Sequence, residues 1–155
     1  MALFLKNLVF TVLVPGTVAV YLPHAIAPSS ASTPFDLARL LIAAALFLLG
    51  GAIYFWCLWD FAVSGRGTPA PIDPPTELVI RGLYRRVRNP MYLGVLTVVA
   101  GWVVYYRSIR LIEYAVTLAV LFHLFVVLVE EPLLRRRFGA AYEAYRRTVP
   151  RWMPW

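Results

Sequence analysis

Asn89, Tyr92 and the adjacent carboxylates Glu130 and Glu131 are the side chains best suited to chemistry here, because each stands against a long apolar run. Amide and ionisable groups are costly near a bilayer, and where they persist they usually bind or react. Asn89 and Tyr92 belong to Arg88-Asn89-Pro90-Met91-Tyr92-Leu93-Gly94, at the mouth of one apolar run, and Glu130-Glu131 closes another. His123 stands seven residues before Glu130, two helical turns away on nearly the same face, where an imidazole can take a proton from an amine nucleophile. The plainer readings are a packed, hydrogen-bonded His123 and interfacial carboxylates that pair with Arg135. Tyr92 taken alone also fits an aromatic belt, and Arg85, Arg86 and Arg88 fit headgroup contacts, with a substrate contact open to one of them. His24 reads as a solvated side chain. The spacings of His, Cys and carboxylates give no metal cluster, and no nucleophile triad or phosphate-cradling glycine loop is present.

Elements that can position such groups follow from composition. The 155 residues are 61% hydrophobic and 15% charged, whereas charged residues make up about 25% of an ordinary soluble domain. An integral membrane protein is the class this supports. Apolar stretches run over 2–22, 37–63, 91–106 and 111–129, against the roughly 20 residues a spanning helix needs. The third is short. It joins the fourth through Arg107-Ser108-Ile109-Arg110, so the last two helices are expected to form a tight hairpin. The first run has Lys6 within it and no clean cleavage pattern after it, so it reads as a permanent helix and not as a signal peptide.

The net charge of +7 is not spread evenly. Arginines crowd the 64–89 loop and the tail after Glu131, while 23–35 has no Lys or Arg. With four spans, the positive-inside rule puts both termini and the 64–89 loop in the cytoplasm. The basic clusters then read as topology determinants and contacts to anionic lipid, not as a nucleic-acid surface.

Along the chain, 28–34 is an external connector, with Thr33 or Asp36 as the cap of the second helix. Gly50-Gly51 permits close approach of a neighbouring backbone. Four prolines between Gly67 and Pro75 force an extended strap, either a wall for a pocket or a rigid spacer. Residues 77–84 read as a short extended segment and a turn, where Gly82 admits a conformation other residues resist. After Glu131, apolar and aromatic residues alternate with arginines up to Arg147, the pattern of an amphipathic interfacial helix. Pro150 and Pro154 end it, beside tryptophans suited to the headgroup layer. The lone cysteine, Cys57, reads as a small buried hydrophobe.

In order, Gly82-Leu83-Tyr84, Arg88-Asn89-Pro90-x-Tyr92-x-Gly94, an apolar hairpin, Glu130-Glu131, Phe138-Gly139, Tyr142 and Tyr145, and Val149-Pro150 resemble the isoprenylcysteine carboxyl methyltransferase family. More loosely they resemble its relatives, the phospholipid N-methyltransferases. The resemblance covers roughly 67–155 and implies a membrane-embedded site for S-adenosylmethionine. Carried over by position, Leu78 and Val79 would hold the cofactor, Tyr84 would border it, Asn89, Pro90, Met91 and Tyr92 would bind it, and Glu130, then Glu131, would supply the carboxylates. Two positions depart from the family pattern. Asn89 stands where His is usual, and asparagine can bind but cannot shuttle protons near neutral pH. Val126 stands where the prenylcysteine enzymes carry an arginine that receives the substrate carboxylate.

The resulting expectation is an all-α integral membrane protein of about four transmembrane helices plus a C-terminal amphipathic helix. It forms one domain over 1–155, with two N-terminal helices (1–63) and a cofactor-binding core (64–155). The activity expected is S-adenosylmethionine-dependent methyl transfer to a lipophilic, membrane-partitioned small molecule, with His123 and Arg88 as catalytic residues and no metal. The acceptor would be a carboxylate or an amine headgroup, entering laterally from the bilayer, and the setting the inner membrane of a bacterium or archaeon. A non-catalytic module that binds lipid or a partner protein is the alternative.

Overall fold

A computed structural model describes residues 8–27, 36–65 and 77–153. The 28–34 connector, the 67–75 strap and the terminal Pro154-Trp155 lie outside the described residues. Among the described residues all regular structure is helical. Three runs, Leu8–Ile26, Leu37–Val63 and Ile109–Thr148, are long and apolar enough to cross a membrane, and Pro90–Tyr106 is a shorter apolar helix. The expected all-α membrane architecture is what the chain adopts.

Helix α1 (Leu8–Ile26) contains Pro15, which has no N–H to donate. Its turns are widened to π geometry over Val12–Tyr21. Two of its carbonyls accept from neighbouring helices, Val18 from the Tyr114 hydroxyl at 2.6 Å and Ala19 from the Trp102 indole at 2.8 Å. Side chains thus satisfy backbone that no water could reach in a bilayer.

Helix α2 (Leu37–Asp60) starts at Asp36, whose Oδ1 accepts from the Arg39 N–H at 3.2 Å, so Asp36 and not Thr33 is its cap. Its 24 residues span about 36 Å. It packs closely on α3 (Pro90–Tyr106) because Gly50 faces Gly94. A Cβ on Gly50 would come within 2.6 Å of the Gly94 carbonyl, whereas one on Gly51 would meet nothing within 4 Å. Of the expected glycine pair, only Gly50 makes the contact.

The hairpin from α3 to α4 (Ile109–Phe125) is tighter than four residues. Arg107 and Ser108 turn the chain, Arg107 at φ 49° with its N–H on Val103 O at 2.9 Å and its guanidinium on Asp36 at 2.7 Å, and Ser108 in extended geometry. His24 lies at this end too. It is exposed, as a solvated side chain would be, and is hydrogen-bonded to the Tyr106 hydroxyl at 3.1 Å.

The amphipathic helix α5 (Glu131–Thr148) continues from α4 without a break. The join is a widened π turn over Val126–Glu130, and a second bend falls at Gly139, whose φ of 51° departs from helix.

Candidate active site

At the end of the widened turn the two neighbouring carboxylates have different surroundings. The Tyr92 hydroxyl, from the first turn of α3, donates to Glu130 Oε1 at 2.8 Å. That one bond ties the two motifs across the hairpin. Glu131 turns the other way and is buried. Its Oε1 lies 3.0 Å from Arg88 Nη1 and 2.7 Å from Arg151 Nε, and its Oε2 accepts from Arg151 Nη2 at 3.1 Å. Arg135, expected as its partner, stands further off at 3.9 Å. The hydrogen bonds to Glu131 raise the Arg151 guanidinium above its already high value.

Arg88 also donates to the Tyr142 hydroxyl at 3.1 Å, and its backbone N–H bonds Pro150 O at 2.9 Å. Asn89 occupies the cap position of α3 but makes no side-chain cap bond. Its Nδ2 donates instead to Arg151 O at 3.1 Å. Pro90 is fully buried in the first turn, where its missing N–H costs nothing.

Opposite this edge, Val79 and Tyr84 pack on Cys57 of α2, and Met91 touches that cluster as well as the one around Tyr54 and Val95. Cys57 is fully buried, as its sequence context suggested, and packs with Tyr84. Burial pushes the Tyr84 hydroxyl well up from the usual tyrosine value, so it stays protonated. Leu78 packs against the cluster of Tyr142, Tyr145 and Val149. The Tyr145 hydroxyl donates to Tyr84 O at 2.6 Å, which fixes the 82–85 turn to α5.

Gly82 has φ +52°, as its place in the turn required, and a second reason for being glycine. A Cβ there would collide with Asp60 Oδ2 and fall 2.8 Å from the Trp56 indole nitrogen. Asp60 is buried, and among the described residues that oxygen has no hydrogen-bond partner.

His123 is exposed, and its Nδ1 lies 3.0 Å from the Trp152 indole nitrogen. An indole N–H only donates, so Nδ1 must accept. Between His123 and Glu130 lies the π turn over Val126–Glu130, which carries more residues per turn than the α-helical spacing that aligns them in sequence. His123 reaches the centre through Trp152, whose ring lies 6.3 Å from that of Tyr92.

A family model, Phospholipid methyltransferase, matches residues 38–141, more than half of the chain. The chain belongs to the phospholipid methyltransferase family. This family covers the isoprenylcysteine carboxyl methyltransferase-like proteins, so the resemblance read from the order of the motifs holds. No curated protein and no solved structure matches the chain.

The matched residues of this membrane methyltransferase include Arg88 to Gly94 and Glu130-Glu131, and they reach back into α2, which in sequence contributes only hydrophobicity. They stop before Tyr142, Tyr145 and the 149–152 segment that braces the site. Arg151, Trp152 and Asp60 stand beside these residues, and the sequence gives them no part in a site. Val149-Pro150 belongs to the motif order, and the polar atoms its segment carries back to Arg88 and Asn89 are the signal that motif order does not convey.

Proposed function

We propose that the protein transfers a methyl group from S-adenosylmethionine to an amine-bearing lipophilic acceptor in the bilayer. The bond between Tyr92 and Glu130 carries this reading, because it joins both motifs at one point beside apolar walls. The residues suit the cofactor's chemistry. Among the described residues Glu130 is hydrogen-bonded only through Oε1, leaving its other oxygen to receive hydroxyls or an ammonium. Val79 and Met91 offer apolar contact, and the Tyr84 ring can favour a sulfonium by ~0.5–2 kcal/mol. Leu78 supports the facing side through Tyr142 and Tyr145, and Asn89 and Pro90 fix the entry to α3. When bound, the cofactor supplies the activated methyl group. The protein's share is alignment of donor and acceptor and exclusion of water, which is where most of the acceleration of such a displacement arises.

An amine acceptor is favoured over a carboxylate by what surrounds Glu131. Arg88 and Arg151 both pair with that carboxylate through short contacts, and seating an anionic acceptor would draw them away from it, although Arg88 Nε keeps no partner among the described residues. Val126, where the prenylcysteine enzymes have arginine, is buried and apolar. In this reading Glu131 and Arg88 brace the site, and His123 acts on it through Trp152. The whole chain, 1–155, works as one domain, with both termini and the site on the cytoplasmic side of an inner membrane. The exposed Arg85, Arg86 and Arg135 to Arg137 support that orientation.

Mass spectrometry of lipid extracts from cells with and without the protein tests the acceptor. Added methyl groups on amine headgroups are expected. Methyl esters in their place would overturn the choice of acceptor, and no methylated lipid of either kind would favour a non-catalytic module.

A further inference from the structure

Residues 149–152 return from α5 and are fastened around the Tyr92–Glu130 pair at four points. Arg88 N–H holds Pro150 O, Asn89 Nδ2 holds Arg151 O, the Arg151 guanidinium holds Glu131, and the Trp152 indole nitrogen donates to His123 Nδ1 at 3.0 Å. The place of the Trp152 ring is therefore set by the same two motifs that make the site. Its centroid lies 6.3 Å from Tyr92, edge to face, and 6.1 Å from His123. Tyr92 is also in contact with Phe122, at 4.6 Å.

His123, Leu124 and Phe125 are exposed on an apolar stretch of α4. In a bilayer that surface meets acyl chains, and the half-buried Trp152 joins its His123 to Tyr92 of the Tyr92–Glu130 pair. An indole suits such a boundary, with an apolar face for lipid and a polar edge that must find an acceptor. His123 provides the acceptor and thereby fixes which way the ring faces.

We propose that Trp152, oriented by His123, determines acceptor specificity. It closes the lipid-facing side of the site and forms the wall on which the apolar part of a bilayer-borne amine acceptor packs beside Tyr92. This rests on the methyltransferase reading above.

The full chain in nanodiscs containing dioleoyl phosphatidylethanolamine as the acceptor probe tests it, with methyl transfer followed by mass spectrometry and cofactor binding by calorimetry. Trp152→Ala is expected to raise the acceptor KM about tenfold while the Kd for S-adenosylmethionine stays unchanged. Trp152→Phe, which keeps the face and loses the N–H, should recover most of the acceptor KM, and His123→Ala should show a smaller rise than Trp152→Ala. An unchanged acceptor KM in Trp152→Ala, or a parallel loss of cofactor affinity, overturns the proposal. Absence of transfer to this lipid by the wild type overturns it as well, and cofactor binding then decides separately whether the methyltransferase reading survives.

Discussion

Glu130 and Glu131 are consecutive, yet one faces a single neutral hydroxyl and the other is gripped by two guanidiniums. Consecutive residues on a helix point to different sides, and here the two sides meet different partners, Tyr92 on one and Arg88 with Arg151 on the other. Around Glu131 every nearby charge is engaged, so that region holds the 149–152 segment, α3 and α5 together. Around Glu130 there is one donor, an aromatic neighbourhood and an uncommitted oxygen, so that region can receive a ligand. A sequence motif of two acidic residues is thus divided into a brace and a binding group.

Removing the brace should have the largest effect. Glu131→Ala leaves Arg88 and Arg151 without their carboxylate, and breaking a buried pair in this way costs about 3–5 kcal/mol. Thermal unfolding in detergent should show a large fall in the midpoint or loss of folded material. A midpoint within a degree or two of wild type would break the distinction between the two carboxylates.

Gly82→Ala comes next. Its +52° backbone and the Asp60 oxygen, which occupies the space a Cβ would need, both oppose a side chain, at about 1–3 kcal/mol. The same unfolding assay should register it, with cofactor affinity weakened because the turn carries Tyr84.

Tyr92→Phe sharpens the Glu130 side. It removes one hydrogen bond, worth about 0.5–1.5 kcal/mol of stability, so a modest fall in the unfolding midpoint is expected beside a larger proportional loss of cofactor affinity in calorimetry. Equal loss in both would make Tyr92 structural.

Arg135→Ala should be the mildest. The side chain is 42% exposed and 3.9 Å from Glu131, so about 0.5 kcal/mol or less is expected in the unfolding assay. Arg135 also pairs with Glu143 at 3.1 Å, so a larger loss that persists in a Glu143→Gln background would mean that the grip on Glu131 is shared more widely than the short contacts of Arg88 and Arg151 indicate.

Much of this is legible in the sequence because the signals are local. Apolar run lengths mark the helices and the short α3, Asp36 has the chemistry of a cap, and Gly82 announces a special backbone. Tyr92 and Glu130 can be grouped because motif order resembles a known family, though no local rule says that their side chains bond. What escapes is long-range or register-dependent. A π turn has no strong residue signature, so α-helical spacing aligns His123 with Glu130. Arg151 and Trp152 look like headgroup residues because nothing in 149–152 itself shows that its carbonyls meet Arg88 and Asn89. Asp60 ends an apolar helix and gives no sign of facing Gly82.

The division between the two carboxylates is tested most directly by calorimetric titration of the detergent-solubilised wild type and Glu130→Gln with S-adenosylmethionine. Binding by the wild type is expected, with affinity reduced about 10- to 100-fold in Glu130→Gln at an unchanged unfolding midpoint. No binding by folded wild-type protein, or equal affinity in the two, would contradict it.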